Sequence, residues 1–101
     1  MKNTIKENQV YTFKLNSGEE LVSKVLSITD TYVVIQEPVS IAPGPQGMGL
    51  VPSMFTANPK GEIKLNTNSI ALMGETDDSV KVKYLEVTTG IKVPDKKIVM
   101  G

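Results

Sequence analysis

A chain of 101 residues makes one domain. With no cysteine and no histidine, it has no disulfide, no thiolate zinc site and no Ser–His or Cys–His nucleophile pair. All eleven basic residues are lysines and eleven acids balance them, so neither net charge nor arginine forks recommend it as a binder of phosphate backbones. The acids are scattered apart from Glu19-Glu20 and Asp77-Asp78, without calcium-loop spacing, so no metal, cofactor or catalytic group is expected. No apolar run approaches the ~20 residues of a membrane span. The opening MKNTIKENQV is too polar for a secretory leader. A cytoplasmic protein with no membrane partner is expected. Two Phe, three Tyr and no Trp give a thin core, which points to completion by a partner subunit.

Residues 1 to 9 read as a flexible polar N-terminus. Tyr11, Phe13 and Leu15 alternate with Thr12 and Lys14, which predicts a strand with one buried face. Asn16-Ser17-Gly18 predicts a turn with Gly18 at positive φ. Glu20 to Ile28 predicts a second strand, with Leu21, Ser23 and Val25 pointing one way. A short polar turn, Thr29-Asp30-Thr31, leads to the apolar run Tyr32 to Ile35, which suits a strand covered on both faces. Pro38 cannot donate to a ladder and marks an edge, a bulge or a bend.

Ala42 to Gly49, APGPQGMG, reads as a loop, and Leu50 to Phe55 as a short edge strand interrupted by Pro52. Asn58-Pro59-Lys60-Gly61 is a turn. Glu62 to Met73 reads as extended, around a polar patch from Asn66 to Ser69. Thr76 as a hydroxyl cap followed by Asp77 and Asp78 predicts a helix over about residues 77 to 89. Val80, Tyr84 and Val87 share one face of it, and Gly90 caps its end. A strand competes, because Val80, Val82 and Tyr84 also alternate with lysines. Pro94 ends the ordered region and residues 95 to 101 read as a tail. The fold class is mainly β: five strands, strongly bent, with one C-terminal helix. SH3-like, OB and Sm-like barrels are the candidates.

Leu15, Gly18, Leu21, Val25 and Ile28 follow the spacing of the first Sm motif, in which apolar positions lie three, seven and ten residues after a glycine. The segment from Leu15 to Val34 therefore resembles the Sm/LSm/Hfq family. Without a gap, Thr29 stands at the family's Asp, Thr31 at its stacking position and Val33 at its base-reading Asn. A shift by one residue instead puts Asp30 on the Asp and Tyr32 on the stacking aromatic; the ungapped register keeps the strand alternation intact. The second motif is matched by Ile63, Leu65, Asn66, Thr67, Asn68, Ser69, Ile70 and Leu72, without its basic residue. From Val10 to Pro94 the chain looks closest to the small Sm-like proteins of marine and cyanophage-type viruses.

The resemblance implies residues 10 to 94 as a five-stranded, strongly bent Sm-like (SH3-like) barrel plus helix. It also implies a homo-oligomeric ring of roughly five to seven subunits, in which the fourth strand of one copy pairs with the fifth of the next. On this chain the joining residues would be Leu50, Val51, Met54, Phe55, Ile63, Leu65 and Ile70. The implied function is non-catalytic binding of single-stranded RNA around a pore, as a chaperone in the cytoplasm of a viral host. The candidate residues are Thr29, Asp30, Thr31, Tyr32, Asn66, Thr67 and Asn68. Amide side chains can read base edges and a tyrosine can stack on a base.

Plainer readings stand beside these. The Asn66–Ser69 patch also suits a bend whose side chains satisfy the backbone, Thr29–Thr31 a simple turn, and Tyr32 a core tyrosine. Lys24 and Lys64 suit solvated surface positions, and Lys92, Lys96 and Lys97 a solubilising tail. A structural or protein-interaction ring that has lost the RNA pocket is the alternative function.

Overall fold

The computed structural model describes residues 9 to 90. Most of the N-terminal segment, Pro94, the tail and the lysines at 92, 96 and 97 lie outside the described residues. The chain runs β1 (Gln9–Leu15), β2 (Glu20–Ile28), β3 (Tyr32–Gly44), β4 (Gly47–Pro52), β5 (Ile63–Asn66), a 3-10 turn (Thr67–Ser69), β6 (Ile70–Glu75) and α1 (Asp78–Thr89). Six antiparallel strands form one open sheet in the order β4-β3-β2-β1-β6, with β5 pairing to β3.

Directly opposed residues share a face of a sheet, so the pairing sorts the alternation into two layers. Met73, Phe13 and Leu21 are opposed in turn, and so on the other face are Gly74, Thr12, Val22 and Val39. The first face carries Tyr11, Phe13, Leu21, Val25, Val33 and Ile35, joined by half-buried Leu15, Ile28, Ile63, Leu65, Ile70 and Met73. The second carries Val10, Val22 and Val39 beneath Tyr84 of α1, with Ile41, Leu50 and Val80 around them. The predicted facing of Leu21, Ser23 and Val25 is observed: Ser23 is fully buried and its hydroxyl donates to the Gln36 carbonyl at 2.8 Å.

The bend expected at Pro38 is centred one residue earlier. Glu37 has φ 53, a left-handed conformation unfavourable for a residue with a Cβ. Three hydrogen bonds hold it there. Its N–H donates to the Pro59 carbonyl at 2.8 Å. Its carbonyl accepts from the Tyr84 hydroxyl at 2.9 Å, and that hydroxyl in turn accepts from the Lys24 N–H at 3.1 Å. Before this bulge β3 pairs with β5 through Tyr32 to Ile35; after it, the same edge pairs with β4 through Val39 to Gly44. One long strand thus serves two partners because it bends between them.

Four expectations are corrected. The sheet has six strands rather than five, because the 3-10 turn divides Glu62 to Met73 into β5 and β6, and Ala42 to Gly49 is a hairpin and not a loop. Gly44 pairs with Gly47 across a two-residue turn, and Gly47 at φ 106 supplies the backbone that the turn requires. The strand expected over Leu50 to Phe55 ends at Pro52, which has no N–H for the ladder, so Met54 and Phe55 lie in the connection to β5. Glu62 to Met73 is cut by the 3-10 turn, since Asn66 and Thr67 bond locally instead of extending. Tyr32 is not in the main core: it is half-buried on the opposite face from Val33, with the Lys64 ammonium 4.8 Å from its ring centroid.

The helix reading prevails over the strand. Its cap is Asp77, whose carboxylate accepts from the Ser79 N–H at 3.2 Å; the expected cap, Thr76, is buried and bonds the Thr12 hydroxyl at 3.0 Å. The hydrogen bonds from Ser79 hold the Asp77 carboxyl below its ordinary value. Gly90 closes the helix in the left-handed conformation, as expected. Of the predicted face, Tyr84 is buried and Val80 half-buried, but Val87 is 53 % exposed beside a hollow near the helix end. No helix among the described residues is long and apolar enough to cross a membrane.

Candidate functional site

The β2–β3 turn is built on Thr29. Its hydroxyl accepts from the N–H groups of Thr31 (3.3 Å) and Tyr32 (3.1 Å) and donates to the Tyr32 carbonyl (3.1 Å). This is the local bonding that threonine offers a turn. The 3-10 turn is built the same way on Asn66, whose side-chain oxygen accepts from the Asn68 N–H at 2.8 Å.

Thr67 ties the two turns together. Its N–H donates to the Thr31 carbonyl at 3.0 Å, and its hydroxyl lies 3.2 and 3.1 Å from the carbonyls of Asp30 and Thr31. From the other side, Asn16 of the β1–β2 turn holds the same segment: its amide donates to the Asn68 carbonyl (2.6 Å) and its N–H to the Ser69 carbonyl (2.8 Å). Three segments far apart in the chain therefore meet at one place.

Beside the tied turns lies a hollow of about 290 Å3, walled by Ile28, Val33, Ile70 and Met73 and edged by Thr29, Asp30 and Thr67. Its walls are largely apolar and its edge is polar, a chemistry suited to a flat apolar ring with polar edges. Among the described residues, Asp30 is the only charged one lining it, and no lysine does. Thr31 and Asn68 are exposed at the turns.

The predicted site residues thus divide. Thr29, Asp30, Thr31, Asn66, Thr67 and Asn68 are brought together. Tyr32 is not among the residues that line the hollow; it lies across the β3–β5 ladder from Asn66, one side of its ring facing Lys64. Within the group, the Thr29 hydroxyl and the Asn66 amide oxygen are occupied in holding their own turns. Asn16 and the hydrophobic wall were missed. An exposed turn asparagine and strand residues already assigned to a core carry no mark in the sequence of this second use.

The proposed joining residues divide too. Ile63, Leu65 and Ile70 pack against their own chain's main cluster and Leu50 against the cluster under α1. Val51, Met54 and Phe55 are exposed, at 40 %, 48 % and 86 %. No family model and no curated protein matches this chain.

Proposed function

We propose that this chain is a subunit of an Sm-like homo-oligomeric ring whose tied turns bind single-stranded RNA. The observation that carries this reading is the meeting of the two motif segments. Residues 29 to 31 and 66 to 68, which resemble parts of two separate Sm motifs, are bonded to each other through Thr67 at the edge of one hollow. The strand–3-10 turn–strand arrangement of the second segment and the open, bent sheet support the same reading. In it, a base enters the hollow against Ile28 and Ile70, and the exposed Asn68 amide meets its polar edge. No covalent chemistry is required.

A second reading, a ring that serves as a protein scaffold, is favoured by the absence of lysine from the hollow's lining among the described residues and by the zero net charge.

Fluorescence anisotropy with short oligo-U and oligo-A RNA at two salt concentrations separates the two, with the same sample sized by multi-angle light scattering. Saturable binding by a ring-sized species, weakening with salt, is expected. Asn68→Ala is expected to weaken it roughly fivefold or more, the value of one lost base contact, with the ring unchanged. A ring that ignores both RNAs selects the scaffold, and a monomer removes the Sm-like assignment.

A further inference from the structure

Among the described residues, the polar side chains lining the hollow beside the tied turns are those of Thr29, Asp30 and Thr67; the rest of its wall is apolar. A hydroxyl has one proton to give and two lone pairs. The Thr29 hydroxyl gives its proton to the Tyr32 carbonyl and accepts from the N–H groups of Thr31 and Tyr32, which fills it. The Thr67 hydroxyl gives its proton to the carbonyls of Asp30 and Thr31, and the Thr67 N–H is spent on the Thr31 carbonyl. The Thr29 N–H is spent likewise on the Tyr32 carbonyl, at 2.8 Å.

The bonds that build the two turns therefore consume the hydroxyl protons. What these side chains hold for a ligand is acceptor capacity: lone pairs on Thr67 and the carboxylate of Asp30. The two oxygens of a carboxylate take about four hydrogen bonds, so a partner within the chain leaves room for a ligand's pair. Asp30 is exposed, and no cationic side chain lines the hollow among the described residues.

We propose that the hollow selects guanine, with Asp30 as the residue that reads it. This rests on the reading of the tied turns as a site for single-stranded RNA, and not on the assembly of a ring. A base lying against Ile28 and Ile70 must turn a donating edge toward Asp30. Guanine carries its N1–H and its 2-amino group side by side, and the pair matches the two oxygens of one carboxylate in parallel bonds. Adenine and cytosine carry a bare ring nitrogen beside their amino group, so one bond forms and a lone pair faces the other oxygen. Uracil has one N–H between two carbonyls, which the carboxylate repels. Such edges are open to reading in a single strand. With no cation in the lining, discrimination comes from the base edge and not from phosphate.

The test is a fluorescence-anisotropy titration of the full chain with four short labelled RNAs. One is oligo-U; the others carry a single central guanine, hypoxanthine or adenine. The guanine RNA is expected to bind about tenfold or more tighter than oligo-U. Hypoxanthine, which keeps the N1–H and lacks the 2-amino group, is expected to fall between them. Asp30→Asn is expected to erase the guanine advantage and to strengthen oligo-U binding, since an amide can donate to a uracil carbonyl; it leaves in place the Asp30 carbonyl that Thr67 bonds. Equal affinity for all four RNAs overturns the selection of guanine and leaves the RNA reading standing. A guanine preference that persists in Asp30→Asn, or an equal loss for every RNA in that variant, overturns the role of Asp30. No binding of any of the four removes the RNA reading, and the inference with it.

Discussion

The cluster around Phe13 draws side chains from five strands, whereas the cluster under α1 hangs on Tyr84, the one fully buried residue of the helix. In the first, the strands contribute apolar side chains that pack on one another. In the second, a single phenol both fills the layer and bonds the Glu37 bulge and β2 through its hydroxyl. The sheet thus has one face held by area and one held by a polar anchor. Loss of area degrades a core by degrees, while loss of the anchor leaves identified buried groups without partners.

Three changes probe this contrast, in decreasing order of effect. Phe13→Ala, at a position with no exposed surface, is expected to cost about 3–5 kcal/mol in urea unfolding. A loss below about 2 kcal/mol would show that the main cluster collapses readily around the gap. Tyr84→Phe keeps the ring and removes only the hydroxyl. It is expected to cost about 1–3 kcal/mol, because the Lys24 N–H and the Glu37 carbonyl lose their buried partner. A neutral outcome would assign the bulge to the Pro59 contact alone.

The same tyrosine gives a pH signature. Burial, as the largest cause, pushes the Tyr84 hydroxyl up to about 12 from 10.0. The folded state therefore keeps its proton where the unfolded chain has released one. Its contribution to stability is complete below pH 10.0 and is lost as pH rises to about 12. Tyr84→Phe should remove the Tyr84 share of that alkaline decline. Asp77→Ala is expected to have the smallest effect, a fraying of the first helical turn read by amide hydrogen exchange. The Asp77 carboxyl is held below its ordinary value by Ser79, so its capping is present above the usual carboxylate pKa and is lost as pH falls through the lowered one. Equal exchange in wild type and variant would move the cap elsewhere.

The helix was legible because its ends are written in local residue types, an acid at the start and Gly90 at the stop. β1 and β2 were legible because their alternation survives around the Asn16–Gly18 turn. The 42 to 49 hairpin was not. Its glycines and prolines are those of a loop, and only pairing with β3 shows that they build a tight turn between strands. Of the candidate site, the turn at Thr29–Thr31 and the bend at Asn66–Ser69 were legible, but not how they are held. Nothing local says that Thr67 bonds the carbonyls of Asp30 and Thr31, or that Asn16 holds the other side.

The side chain of Tyr32 shows where local reasoning ends. Its neighbours Val33 and Ile35 enter the main cluster, and strict alternation then sends Tyr32 to the other face, beside Lys64. An apolar run hides that alternation, because both faces are covered from Val33 to Ile35.

Periodicity, turn chemistry and caps, all interactions within a few residues, are enough to place β1, β2 and the helix and to say that Leu21, Ser23 and Val25 share a face. They do not determine partners. That β3 bends at Glu37 and changes from β5 to β4, that Tyr84 anchors the bend, and that two distant turns meet at Thr67 were decided by the tertiary structure. Each depends on backbone groups finding partners across long sequence separations, and only the assembled fold brings those groups within hydrogen-bond reach.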